Sequence, residues 1–448
     1  MEGKKERPVM LLFSKHITNR LHYVAAFIGE ELFDKAIQLT DDLEAFQQYS
    51  GAKINYSAER IEGAFNLSPH SLLFEQDIRP QEITCFVHNN HKVFFRSDNS
   101  HLDFDIFAAT FYLLSRYEEY LPHQKDEYGR YAHVESLAYK EDFLHLPLVN
   151  YWLGDLKAAL KQVFPDIFFH RHSFKFIPTY DIDMAWSYRH KGFIRNAGGT
   201  VRSILKRDWA AVKERLAVLR NKRKDPFDSY EWLDALHLYC RLRPYYFFLV
   251  AERRHIYDKN IPPSNKAMQE LIDYHSKKGT VGLHPSWQSS DNPKLLKQEL
   301  GWLEFITGNE VKHSRQHYIR LMLPATYRQL IKAGIEKDFS MGYGTINGFR
   351  ASVASSFYWY DLEKDESTKL LLFPFCFMDA NAFYEQKLAP HQALAELMKF
   401  YQSIRRVNGM MCTIWHNSFL GTSPMFKGWR EVYEIFLKEE VYWDRFQD

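Results

Sequence analysis

Seven short apolar runs, with helical stretches between several of them, limit what this chain can fold into more than any other feature. They lie at residues 176–182, 245–250, 280–283, 310–314, 337–341, 370–377 and 411–415. In the intervals apolar residues recur at helical spacing, as in Met268, Leu271, Ile272 and His275, or Leu394, Leu397, Met398 and Tyr401. Alternation of this kind predicts a parallel sheet with crossover helices, and this many units predicts a closed or nearly closed β/α barrel. The reacting groups of such barrels gather at the carboxyl ends of the strands.

The unusual residues of this chain sit at those ends. Asp181 and Asp183 close the first run, and side chains two apart in a strand share a face. Two carboxylates so placed can hold a divalent cation, or divide the work into a ligand and a base. Later runs are followed by His284-Pro285-Ser286-Trp287, by Arg315-Gln316-His317-Tyr318, by Asp379 and by His416-Asn417-Ser418. Asp338 sits within its run, and Arg350 comes soon after. Singly these have bland explanations: capped strand ends, paired arginines, satisfied polar histidines. Jointly they predict one rim carrying acids, imidazoles and an arginine.

The order of these segments resembles a known family. Thr179 to Asp183, Gly282 to Ser286, Arg315 to Tyr318, Asp338 to Gly342 and Trp415 to Asn417 resemble, in sequence, the five motifs of polysaccharide deacetylases. The resemblance spans roughly residues 172–448. It implies a distorted (β/α)7 barrel and a metal-dependent hydrolase acting on carbon–nitrogen bonds other than peptide bonds. It also implies that Asp181 is the general base, oriented by Arg315. Asp183 and His284 become metal ligands, and His416 protonates the leaving amine, itself held by Asp338 or Asp379. Upstream, Phe104-Asp105-Ile106-Phe107 and Ser115-Arg116-Tyr117-Glu118-Glu119-Tyr120 resemble an uncharacterised amino-terminal domain that precedes such barrels in some bacterial proteins.

One departure stands out. The family supplies a second histidine four residues after the first, where this chain has Gln288, a poor ligand for Zn²⁺. His317 stands where the family usually has proline, so the expected set is Asp183, His284 and His317 around a divalent metal, Zn²⁺ foremost. The alternatives are a hydrolase of another small amide, or a non-catalytic carbohydrate-binding protein with a degraded metal site. Aromatic residues make up 16% of the chain, and aromatic faces suit the C–H faces of sugars. Trp287, Tyr318, Arg350 and Trp415 are the expected substrate contacts.

The expected organisation is an α/β chain in two parts. A smaller mixed α/β domain occupies residues 1–170, with a helix around Leu21, Val24 and Ile28 and a hairpin around Asn89-Asn90. The barrel occupies residues 171–448, with a basic helical insertion at 189–224. That insertion holds twelve Lys or Arg against Asp208 and Glu214, a net of +10 where the whole chain is +2. Its apolar residues recur at helical spacing, so it can lie on an anionic membrane or grip a phosphate-bearing or lipid-linked N-acetylated saccharide. Nucleic acid is not expected, because the charge is confined and no recognition module accompanies it. Scattered cysteines and a charged, leader-poor terminus (residues 1–7) give a cytoplasmic expectation.

Overall fold

The computed structural model describes residues 10–442; the charged terminus read above for localisation lies outside the described residues. The first part begins with β1 (Leu11–Phe13), α1 (Asn19–Phe33), β2 (Gln38–Thr40), α2 (Leu43–Gln48), β3 (Lys53–Tyr56) and β4 (Phe65–Leu67). These strands form a parallel sheet in the order β2-β1-β3-β4. Thr18 caps α1 by accepting from the Leu21 N–H, and Leu21, Val24, Ile28 and Leu32 bury one face of it. β5 (Phe86–His88) and β6 (His91–Val93) form the expected antiparallel hairpin. Asn89 and Asn90 both take positive φ, as a two-residue hairpin turn requires. α3 (Ile106–Leu114), α4 (Leu137–Lys140) and α5 (Leu148–Val163) follow. Asp105 is a buried hub: it caps α3 through the Ala108 N–H and accepts from Tyr56 Oη and the His70 N–H.

The second part runs β7 (Lys175–Ile182), α6 (Gly192–Leu205), α7 (Trp209–Leu219), α8 (Tyr230–Cys240), β8 (Tyr245–Leu249), α9 (Lys266–Lys278), β9 (Thr280–His284) and α10 (Pro293–Thr307). It continues with β10 (His313–Ser314), α11 (Ala325–Lys332), β11 (Lys337–Asp338), β12 (Phe357–Asp361), β13 (Glu366–Leu372), β14 (Phe377–Met378), α12 (Pro390–Arg405), β15 (Met410–His416) and α13 (Trp429–Ile435). One nine-stranded sheet takes the order β12-β13-β11-β10-β9-β8-β7-β15-β14. All its pairings are parallel except β12 with β13.

The expected single run at 370–377 is broken. Pro374 has no N–H to give the ladder, so the strand stops at Leu372 and resumes at Phe377. The chain between still bonds to both neighbours: the Phe373 and Phe375 N–H groups donate to Asp338 and Met341, and the Cys376 N–H donates to Cys412. One segment thus touches both ends of the parallel row, while no ladder pairing joins β13 to β14 among the described residues. The strands expected at 310–314 and 337–341 shrink to two residues each, and β12 was not foreseen.

Alternation divides the core. Ile177, Tyr245, Phe247, Cys412 and Ile414 point with Asp181 and His416 toward a small cluster that includes Phe339 and Phe375. Tyr180, Tyr246, Phe248 and Trp415 point the other way, into the large helix-facing core. Gly282 in β9 allows this closeness, since a Cβ there would meet the Phe247 ring and the His313 carbonyl.

The two parts are tied by buried charge. Glu119 receives Arg350 through Nε (2.8 Å) and Nη2 (2.6 Å), and Arg116 through Nε (2.8 Å). Burial pushes the Glu119 carboxyl up, but Arg350 and Arg116 outweigh it and hold it near 2.

His237 and His275 are buried under the sheet, and burial lowers both to about 4. His237 meets Tyr180 Oη, whereas neither ring nitrogen of His275 has a partner among the described residues. Below their unfolded pKa of roughly 6.5 the unfolded chain takes up protons that the folded chain refuses. Stability is therefore expected to fall as pH drops from about 6.5 to about 4, by up to about 3 kcal/mol for each ring. Urea midpoints across that window test this. His275→Phe should flatten the profile, and an unchanged slope in that variant would remove His275 from the account.

Candidate active site

The carboxyl ends of β7, β9 and β15, with the turns after β8, β10 and β14, deliver their polar residues to one cavity of about 500 Å³. Asp181 is opposite His416 in the β7–β15 register. Its Oδ1 accepts from Arg315 Nη1 at 2.8 Å. Arg315 is fully buried, stacks over Phe247 and donates through Nε to the Phe339 carbonyl. A guanidinium with fixed stacking and two directed bonds cannot swing away, so Asp181 is held with Oδ2 remaining, 3.7 Å from His284 Nε2.

Asp183, His284 and His317 form the tightest cluster. Their ligand atoms all lie within 4.8 Å of one another. His284 Nδ1 is 2.6 Å from the Arg315 carbonyl, and a carbonyl only accepts, so Nδ1 carries the proton. His317 Nδ1 is 3.0 Å from Asp258 Oδ1. Both rings thus have their outer nitrogen engaged and turn Nε2 toward Asp183, at 3.1 Å and 3.5 Å. Asp183 Oδ1 is buried, with no hydrogen-bond partner assigned among the described residues. His284, whose Nδ1 donates to the Arg315 carbonyl, turns Nε2 toward that oxygen. One carboxylate and two imidazoles, each ring anchored through its outer nitrogen, form a donor set that could hold a divalent cation. Gln288, at the position the motif resemblance makes histidine, is exposed.

The field of the site favours positive charge. Burial opposes protonation of His317, but Asp183 and Asp258 raise it to about 9. Burial likewise pushes Asp183 up, yet His317 and His416 hold it well below the usual carboxylate range. His416 Nδ1 lies 2.6 Å from Asp379 Oδ1, and its backbone N–H donates to Asp379 Oδ2. Burial would lower His416; Asp379 first, then Asp183, raise it to about 10. Its Nε2 points to Asp183 at 3.5 Å.

Three expected site residues lie elsewhere. Asp338 does not hold His416: it accepts from Ser314 Oγ, Ser340 Oγ and the Ser340 N–H, beneath the Arg315 turn. Asp379 holds that histidine instead. Arg350 is 1% exposed and spent on Glu119 and the Gly342 carbonyl. Trp415 is one residue from His416, so it points to the opposite face, against Tyr433. Tyr318 lines the cavity. Trp287 sits behind the lining, stacked on Tyr257 at 4.1 Å, with Arg320 over its ring.

Five further residues belong to the site that no sequence motif marked: Asp258 on His317, and Tyr257, Tyr384, Tyr128 and Arg130 in the cavity lining, the last two from the amino-terminal part. Asp258 also accepts from the Trp287 N–H, so it fixes the ligand turn and the His317 tautomer together. Its signal was available, as an acid in the loop after β8. Tyr128 and Arg130 carried none, because only the fold brings them here. Arg130 is held by Asp126 and donates through Nη1 to the Tyr318 carbonyl, next to the ligand turn. Its Nη2 is buried and has no partner among the described residues. Gly344 leaves the room its guanidinium occupies.

Comparison with known proteins adds the following. Residues 10–165 match a family described as of unknown function, DUF7033. No curated protein matches the chain. Among solved structures, a Mycobacterium smegmatis protein provisionally named a polysaccharide deacetylase is 13% identical. It is matched over 60% of this chain and 84% of its own, at a TM-score of 0.38. The polysaccharide deacetylase Bc1974 of Bacillus cereus is 11% identical over 61% and 90%, at 0.28. An allantoinase is 9% identical over 60% and 84%, at 0.39.

Proposed function

We propose that this protein hydrolyses the amide bond of an N-acetylated saccharide, releasing acetate, at a divalent metal held on a distorted seven-position β/α barrel. The single observation that carries the reading is the convergence of three units on one cavity. They are the Asp181–Arg315 pair, the Asp183–His284–His317 cluster and the His416–Asp379 pair. The motif order given above supports the same reading.

Asp183, His284 and His317 would hold the cation, whose chemistry is that of a Lewis acid toward a carbonyl oxygen and toward water. The chain's own groups do the rest. Asp181 takes the proton of the attacking water through Oδ2, while Arg315 keeps Oδ1 occupied and the carboxylate oriented. His416, kept as imidazolium by Asp379, delivers a proton from Nε2 to the departing nitrogen. Tyr128, Tyr257, Tyr318 and Tyr384 give aromatic surface at the cavity for the sugar ring. Residues 10–165 then serve as more than a scaffold, since Tyr128 and Arg130 complete the wall.

Acetate release from a panel of N-acetylated saccharides, with and without added Zn²⁺, Co²⁺ or Mn²⁺, tests the proposal. Release from at least one saccharide, dependent on metal, is expected. Release only from small non-saccharide amides would shift the reading to another amidase. Arg130→Ala should raise KM roughly tenfold, the scale of losing a charged hydrogen bond, with metal content unchanged. An unchanged KM would remove Arg130 from the substrate wall.

A further inference from the structure

The α6–α7 hairpin carries an apolar face that no described residue covers. At about 100° per residue, Phe193, Ala197, Val201, Ile204, Ile194 and Leu205 fall within an arc of about 120°. α6 buries none of its 14 residues. Phe193 and Ile194 are each 86% exposed and Leu205 is 79% exposed. Trp209, at the start of α7, is 57% exposed. Beside that arc α6 is occupied: Arg215 donates to the Asn196 carbonyl and to Thr200 Oγ1, and Gly199 leaves room for its guanidinium. An isolated helix of this length is marginal in water, so an uncovered apolar stripe on it asks for an occupant.

Charge identifies the occupant. The segment 189–224 carries a net +10. Arg202, Lys206, Arg207, Lys213, Arg220 and Lys222 are exposed. That net already counts the segment's two acids, Asp208, which caps α7, and Glu214, which is tied to Tyr188 and Arg223. Two copies of such a surface repel one another. A nucleic acid would use the charge and leave the apolar arc in water. An anionic bilayer satisfies both, with aliphatic and aromatic side chains at the acyl boundary and basic groups among the phosphates. No helix among the described residues is long and apolar enough to cross a membrane, so the contact is with its surface.

We propose that the α6–α7 hairpin seats this protein on an anionic lipid surface. The hairpin also reaches the site: Arg195 donates to the carbonyl of Lys259, which lines the cavity. Docking would therefore bring the cavity beside the bilayer. If the hydrolase reading holds, substrates would be met at the lipid surface; the docking itself does not depend on that reading.

Sedimentation of the full chain with phosphatidylcholine vesicles, with and without phosphatidylglycerol, tests this without any turnover. Binding only to the phosphatidylglycerol vesicles, weakened by salt, is expected. Phe193→Ser, Ile194→Ser and Leu205→Ser combined should lower the partition coefficient on the order of tenfold or more, with an unchanged circular dichroism spectrum. Arg202→Gln, Lys206→Gln and Arg207→Gln combined should do the same at low salt. No binding of the unaltered chain at low salt overturns the proposal. So does dimerisation through this face, seen by light scattering in the unaltered chain and lost in the serine variant.

Discussion

His416→Ala is expected to cut the turnover of amide hydrolysis by roughly 10²–10⁴-fold, the usual contribution of a positioned general acid. The loss should fall on kcat more than on KM, because in the proposed reaction Nε2 serves the leaving nitrogen and not the bound sugar. The imidazole is positioned twice by one carboxylate, through its ring and its backbone N–H, so Asp379→Asn should reproduce much of the defect. Asp181→Asn should cost a similar factor by removing the base while keeping the shape. Initial rates at saturating substrate, with metal content measured beside them, separate these outcomes from loss of the metal. A His416→Ala enzyme within threefold of the unaltered one would mean that the amine leaves without this proton.

The second large effect is on stability. Arg350→Ala should cost roughly 3–5 kcal/mol, because it strands the Glu119 carboxylate in the interior with only Arg116 to answer it. The pair joins the amino-terminal part to the part with the nine-stranded sheet, so the loss should appear as separation of their unfolding transitions in urea. Double replacement of Glu119 and Arg350 by apolar residues of similar size should recover much of the loss, since removing both charges removes the desolvation cost. A single Arg350→Ala shift below about 1 kcal/mol would show that water reaches Glu119.

Strand parity and strand-end chemistry made the centre of the site legible. Asp181, Asp183, His284, Arg315 and His416 each stand at a strand end or just past it, so the sequence places them on one rim. The same parity argument disposes of Trp415, which stands out of phase with His416. Arg350 misled because its partner, Glu119, is remote in the chain, and no local pattern records such a pairing. Asp258 and Arg130 were missed for a related reason. They lie in irregular loops, where neither period two nor period 3.6 marks direction; Asp258 offered only its place after β8, and for Arg130 only the folded chain shows what it touches. The strand at 370–377 was read too long because its apolar run masked Pro374.

The cation at Asp183, His284 and His317 is the claim on which the rest depends. Metal content of protein purified without chelator, compared with Asp183→Ala and His317→Ala, tests it most directly. About one divalent ion per chain is expected in the unaltered protein, with a large loss in both variants. Equal and negligible content in all three would contradict it.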